Sequence, residues 1–217
     1  MTVRLDTLFS TLPECDKFAD VGCDHGYISL AMISSGKAKS VVCTDVSAPS
    51  LQKCKELFEI SGYSAKFICC DGLSGVSQDC DLVLISGMGG ETIIDILSAS
   101  PFYPEKLVLQ PMKNVDKVRK YVVSIGYEIV KDFKFFAEGK YYDVISLRRG
   151  KDILTQEEIE FGRDNLKNPS KDFLNFLNWT IEKKKKLLVN LPDKELAKKD
   201  IEKLKELYER LYVTKNN

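Results

Sequence analysis

Five short apolar runs, each closed by Gly, Asp or Pro and set apart by helical patterns, restrict this chain more than any other feature. They are FADVG from Phe18, SVVCTDV from Ser40, AKFICCD from Ala65, CDLVLISG from Cys80 and KLVLQP from Lys106. Continuous apolar runs of this length suit strands buried on both faces of a parallel sheet. The intervening patterns predict helices over 27–35, 49–61, 91–98 and 115–125. Ser47 is placed to cap the second, with Pro49 close behind, and Gly126 to stop the fourth. Two alternating stretches then flank Glu138-Gly139-Lys140, which predicts a hairpin and so antiparallel strands at a sheet edge. Strand–helix alternation closed by a hairpin is a doubly wound α/β domain over residues 1–150.

Past Gly150 no strand pattern remains. Helical stretches are expected near 155–167, 170–190 and 193–213, punctuated by Pro169 and Pro192. Leu187, Leu188 and Leu191 lead to the Pro192 turn. Leu196, Ile201, Leu204, Leu207 and Leu211 form one stripe, and Phe173, Phe176, Leu177, Ile181 and Leu188 the facing one. Residues 151–217 therefore read as an antiparallel helical hairpin resembling a two-stranded coiled coil.

Charge excludes little. The chain has 32 Lys and Arg against 32 Asp and Glu, so no global attraction to a polyanion exists. Locally, residues 151–217 hold 15 basic against 13 acidic residues, and 1–150 hold 17 against 19. The one dense basic run is Lys183, Lys184, Lys185 and Lys186, either a solvated helix face or a contact to RNA phosphates. Seven cysteines, an odd number without a C-x-x-C pair, and a single histidine predict reduced thiols and no metal. With no signal peptide and no long apolar run, a soluble cytoplasmic protein is expected, with no membrane association.

Chemistry concentrates at the turn after the first run, DVGCDHGY. Its frame is Asp20, Gly22, Asp24, Gly26. A dinucleotide loop places glycine where Asp24 stands, so that a pyrophosphate can approach. A carboxylate there repels phosphate and disfavours a nucleotide-dependent oxidoreductase. It favours a ligand with an ammonium and a sulfonium, as in S-adenosylmethionine. Asp45 ends the second run, where an acidic residue takes ribose hydroxyls, and Asp71-Gly72 ends the third, where a carboxylate can accept from an adenine amine. Any one of the three acids alone would pass as a helix cap. Together they mark a cofactor site at the carboxyl edge of the sheet. The candidate cofactor contacts are Asp20, Gly22, Cys23, Asp24, His25, Gly26, Asp45, Val46, Asp71, Gly72, Gly87, Met88 and Gly89. The fourth run ends in SGMGGETI rather than the Asp/Asn-Pro-Pro-aromatic motif of many amine methylases. Gly87, Gly89 and Gly90 there leave open backbone for a planar base, or form a tight turn.

The elements DVGCDHGY, SGMGGETI, LVLQP, the Gly126-Tyr127 break and EGKYYDVI, followed by helical segments, resemble the bacterial tRNA (adenine(22)-N1)-methyltransferases over nearly the whole chain. That resemblance implies a Rossmann-like class I methyltransferase domain over 1–150. It also implies a C-terminal coiled-coil domain over 151–217 that engages tRNA. The chain departs from the family pattern at Gly26, where Ala is expected, at Ile28-Ser29, where Leu-Pro is expected, and at Met112, where Asn is favoured.

In this reading positioning supplies most of the catalysis, because adenine N1 is already a fair nucleophile. Asp24 is the candidate catalytic residue, stabilising the cation left on the base or removing its proton. Gly89, Gly90, Gln110, Pro111, Tyr141 and Lys183 to Lys186 are the candidate substrate contacts; Tyr27 and Tyr142 are further aromatic faces for stacking, with core packing as the plain alternative for each. Asp81 begins a strand at the wrong end of the sheet. A monomer acting on tRNA is expected. The alternatives are a methyltransferase acting on another RNA or on a small amine, and a tRNA-binding module without turnover.

Overall fold

The computed structural model describes residues 1–188 and 194–216. Seven strands form one sheet in the order β3-β2-β1-β4-β5-β7-β6. The parallel strands are β1 (Cys15–Val21), β2 (Ala38–Asp45), β3 (Lys66–Cys69), β4 (Leu82–Met88) and β5 (Lys106–Pro111). The antiparallel hairpin is β6 (Tyr127–Ala137) and β7 (Lys140–Arg149), with β7 inserted beside β5. Leu82, Val83, Leu84 and Ile85 of the central β4 are wholly buried, as two covered faces require.

One face packs under α1 (Val3–Thr11), α2 (Tyr27–Ser34) and α3 (Ala48–Ser61) around Leu8, Phe18, Met32 and Phe58. The other packs under α4 (Gly90–Ser98) and α5 (Val115–Ser124) around Ile93, Leu97, Val118 and Val122. Ser47 caps α3, its side chain accepting from the Ser50 amide, and Gly126 follows α5 at φ +83°. The pattern reading had no counterpart for α1, nine residues long and capped by Thr2.

The C-terminal region differs in detail from expectation. The stretch near 155–167 is two short helices, α6 (Gln156–Phe161) and α7 (Arg163–Lys167), broken at Gly162 with φ +88°. A Cβ at Gly162 would stand 2.8 Å from Asp132 Oδ1 and 2.9 Å from Arg119 Nη2, so the break lets the chain cross a buried ion pair. Then α8 (Lys171–Leu188) and α9 (Glu195–Asn216) bury Phe173, Leu177 and Ile181 with Ile201, Leu204, Leu207 and Leu211. Leu196 does not join the stripe, being 70% exposed. The Leu191–Pro192 turn lies outside the described residues.

The sheet edge and the C-terminal helices are joined by a repeated contact. Amides of β6 donate to side chains beyond residue 150: Ile129 to Asp152 at 3.0 Å, Asp132 to Asp164 at 2.8 Å, Lys134 to Asn165 at 2.9 Å and Phe136 to Asp172 at 2.9 Å. These side chains occupy the ladder positions that a further strand would take. Beside them the buried Arg119 grips Asp132 through two hydrogen bonds of 2.7 and 2.9 Å, reaches Asp143 at 3.2 Å, and donates to the Ile159 and Glu160 carbonyls. No described helix is long and apolar enough to cross a membrane.

Candidate active site

The strand order reverses between β1 and β4, and open α/β sheets bind ligands at the carboxyl ends flanking such a point. A cleft of about 610 Å³ lies there, walled by the turn after β1 and by the ends of β2, β3 and β4. Of the predicted cofactor residues, Asp20, Gly22, Cys23, Asp24, His25, Asp45, Val46, Asp71, Gly72, Gly87 and Met88 line it.

The turn is shaped by close contacts. Gly22 lies at φ +72° and a Cβ there would stand 2.1 Å from the Met88 Cε. Gly26, also at φ +72°, has the Cys54 Sγ at 2.2 Å from its ideal Cβ position. Gly26 therefore stands outside the cleft lining, where it seats the start of α2 on α3. Asp24 adopts φ +45°, a left-handed conformation that Asp and Asn tolerate better than most residues. Its exposed side chain stands 3.8 Å from His25 Nε2, and the His25 ring stacks on Tyr27 at 5.7 Å.

Asp20 is 4% exposed and accepts a 2.7 Å hydrogen bond from Ser29 Oγ. Burial pushes its carboxyl up to about 7, with the Cys23 thiol adding to the rise and Ser29 opposing it. Asp45 stitches the turn to the next helix: Oδ2 accepts from the Asp24 amide at 3.3 Å, and Oδ1 from the Ser47 amide at 2.8 Å. Each oxygen keeps a further lone pair for a ligand hydroxyl. Asp71 is exposed on the opposite wall, with Ile96 supplying an apolar surface next to it.

Several cleft residues escaped the sequence reading: Arg4 and Leu5 of α1, Thr44, Ser86, Thr92 and Ile96. Arg4 contrasts with the carboxylates. Its Nε donates to Gln110 Oε1 at 3.0 Å, its amide donates to Glu138 Oε1 at 3.1 Å, and its guanidinium lies over the Tyr142 ring at 5.5 Å. A Cβ at Gly87 would stand 3.1 Å from Arg4 Nη2, so this cation borders the end of β4.

Beneath the turn, Cys23, Cys43 and Cys54 bring their sulfurs within 4.8 Å of one another. Hydrogen bonds from the Cys23 and Cys43 thiols draw Cys54 down to about 5, while bonds with Cys23 and Cys54 push Cys43 up. Spacings of twenty and eleven residues carry no sequence signal for such a cluster.

The predicted substrate residues scatter. Gly89 caps α4 outside the cleft lining. Gly90 is buried, with the Lys113 carbonyl 2.6 Å from its ideal Cβ position, so close backbone packing accounts for this glycine. Gln110 and Pro111 are buried at the end of β5, and Arg4 connects Gln110 to the cleft. Asp81, as expected, serves the far end of the sheet, accepting from the Asp16 and Lys17 amides. Tyr141 packs among Phe136, Phe176 and Trp179. In the basic run, Lys183 lies over Trp179, Lys184 pairs with Asp200 at 3.0 Å and Lys185 with Glu182 at 2.6 Å.

A sheet of this order, with acidic residues ending β1 and β2 and following β3 around one cleft, is a doubly wound α/β fold with its ligand cleft at the switch point of the sheet. The chain belongs to the methyltransferase-domain family, whose model matches residues 1–145. Over 99% of its length it is 24% identical to the tRNA (adenine(22)-N(1))-methyltransferase of Bacillus subtilis, covering 95% of that relative. Solved structures with the same fold include the following two. M. capricolum TrmK in complex with S-adenosyl-homocysteine has TM-score 0.87 and 23% identity, over 96% of this chain and 98% of that one. The B. subtilis m1A22 tRNA methyltransferase TrmK has TM-score 0.79 and 24% identity, over 100% and 97%.

Proposed function

We propose that the protein is a methyltransferase that transfers a methyl group from S-adenosylmethionine to N1 of adenine 22 in tRNA. The observation that carries this reading is the convergence of Asp20, Asp45 and Asp71 with the Asp24 turn on one cleft. The donor set fits the cofactor. Asp20 suits the α-ammonium, Asp45 the ribose hydroxyls, and Asp71 the adenine amine, with Gly72 and Ile96 beside the ring. Arg4, the cation among these carboxylates, suits the methionine carboxylate. The full-length similarity to a tRNA (adenine(22)-N(1))-methyltransferase supports the choice of substrate over another RNA or a small amine.

The cofactor supplies the electrophilic methyl group. Residues of the chain orient the base edge toward it and exclude water, which is where most of the rate arises. Asp24, exposed beside the turn, stabilises the positive charge that methylation leaves on the base. N1 lies on the pairing edge, so the nucleotide leaves its stack before reaction. In this reading residues 1–150 form the catalytic unit. Helices α8 and α9 act as a coiled-coil element that docks tRNA, with Lys183 to Lys186 facing phosphates. The protein works in the cytoplasm as a monomer and without a metal ion. Incubating it with S-adenosylmethionine and unmodified tRNA, then mapping methylated nucleotides, tests the reading. A single new N1-methyladenine at position 22 is expected, and methylation elsewhere or none overturns it.

A further inference from the structure

The tip of the β6–β7 hairpin and the middle of α8 carry an aromatic surface that the core does not consume. Phe136 and Tyr141 face each other across the hairpin at 4.9 Å between ring centres. Tyr141 meets Phe176 at 5.3 Å and Trp179 at 6.0 Å. Tyr141 and Phe176 are half-buried and act as the floor, whereas Trp179 is 50% exposed and Phe136 45%. Lysine borders the rings: Lys183 Nζ lies 4.9 Å from the Trp179 centre, and Lys134 Nζ, whose ammonium is held by Asp143, lies 4.3 Å from that of Phe176. Lys184 and Lys185 are engaged by carboxylates, but Lys183 is held against a ring.

The position of this surface matters as much as its composition. Antiparallel pairing sets Leu109 of β5 opposite Ile145 of β7, so the hairpin tip runs past the carboxyl end of β5. That is the edge of the sheet on which the cleft opens. Arg4 links the two directly, lining the cleft while its amide bonds Glu138 at the hairpin tip.

Exposed flat rings with an adjacent lysine ammonium match the chemistry of unpaired nucleobases on a phosphate backbone. Rings stack on the bases and the cation meets the phosphates. We infer that Trp179, Phe136 and Lys183 form a stacking platform for unpaired bases of the tRNA, holding nucleotides next to the one delivered to the cleft. This rests on the tRNA reading above and adds to it a recognition surface for single-stranded RNA.

Trp179 is the chain's single tryptophan, so its emission reports on the platform alone. Unmodified tRNA titrated into the full-length protein is expected to quench that emission along the same saturation curve as the anisotropy of end-labelled tRNA. Trp179→Ala and Phe136→Ala are each expected to weaken tRNA binding about tenfold, on the scale of one lost stacked base. They should raise KM for tRNA while sparing kcat and the calorimetric affinity for S-adenosylmethionine. Trp179→Phe should recover most of the loss. Unaltered emission at saturating tRNA, or wild-type KM in both alanine variants, overturns the platform. If the wild type binds and methylates no tRNA at all, it is the parent reading that falls, and the two failures are separate.

Discussion

Arg4 and Gln110, 106 residues apart in the chain, meet through a 3.0 Å hydrogen bond that ties the N-terminal helix to the carboxyl end of β5. Arg4→Met keeps the length of the side chain and removes the charge. Loss of a hydrogen bond to a charged group costs about 1.5–3 kcal/mol. Affinity for S-adenosylmethionine should fall at least tenfold by calorimetry. Unchanged affinity would mean that Arg4 serves only to hold Gln110.

Asp20 makes the molecule sensitive to pH. Its carboxyl rises from 3.8 to about 7 because it is buried. Between those values the folded protein keeps a proton that the unfolded chain has lost. Stability contributed by this group therefore falls as pH rises from about 4 to about 7, by up to about 1.4 kcal/mol per pH unit, and levels off above. In Asp20→Asn that slope should vanish from denaturant melts taken across the range. A cation drawn to Asp20 favours its carboxylate, so cofactor binding should release a proton below pH 7 and tighten toward that value. Calorimetry in buffers of different ionisation enthalpy reads the released proton.

Asp24 tests where the chemistry lies. Asparagine accepts the same φ of +45°, so Asp24→Asn removes charge while keeping the turn. The single-turnover methylation rate should drop at least tenfold, about 1.4 kcal/mol of barrier, with cofactor affinity changed less. A wild-type rate would move the charge-stabilising role away from this turn.

Truncation after Gly150 tests the attachment of the C-terminal helices. It removes Asp152, Asp164, Asn165 and Asp172, leaving four β6 amides bare, and strips two carbonyls from Arg119. The shortened protein should keep its cofactor site yet melt lower and self-associate through the open edge, visible by light scattering. A monodisperse product with the parent melting temperature would show that the edge needs no cover.

The alternation of apolar runs and helices placed the sheet and its crossovers because each element answers to a local pattern, and the acidic strand ends followed from the same periodicity. What stayed hidden depends on contacts between distant segments. Arg4 gains meaning only when α1 folds over β5. Gly162 looked like part of one helix because the ion pair that needs its missing side chain lies between Arg119 and Asp132. Gly90 resembled an opening for a base, yet a carbonyl more than twenty residues on fills the space. The aromatic surface combines a hairpin tip with a helix more than thirty residues away; the lysine run and Tyr141 were visible in the sequence, but Phe136 and Trp179 come together with them only in the fold.

The four contacts along β6 divide their demands unequally between the two segments they join. On the C-terminal side each requires a particular side chain, Asp or Asn, at one position. On the strand side each requires only a backbone N–H, which every residue but proline supplies. Residues 129 and 136 are thus free to change for the sake of the core without loosening the joint, provided neither becomes proline, whereas Asp132 and Lys134 are held besides through their side chains, by Arg119 and Asp143. Substitutions at Asp152, Asp164, Asn165 and Asp172 have no such latitude. Drift at residues 129 and 136 and constancy at the four partners is the pattern of variation that this joint permits.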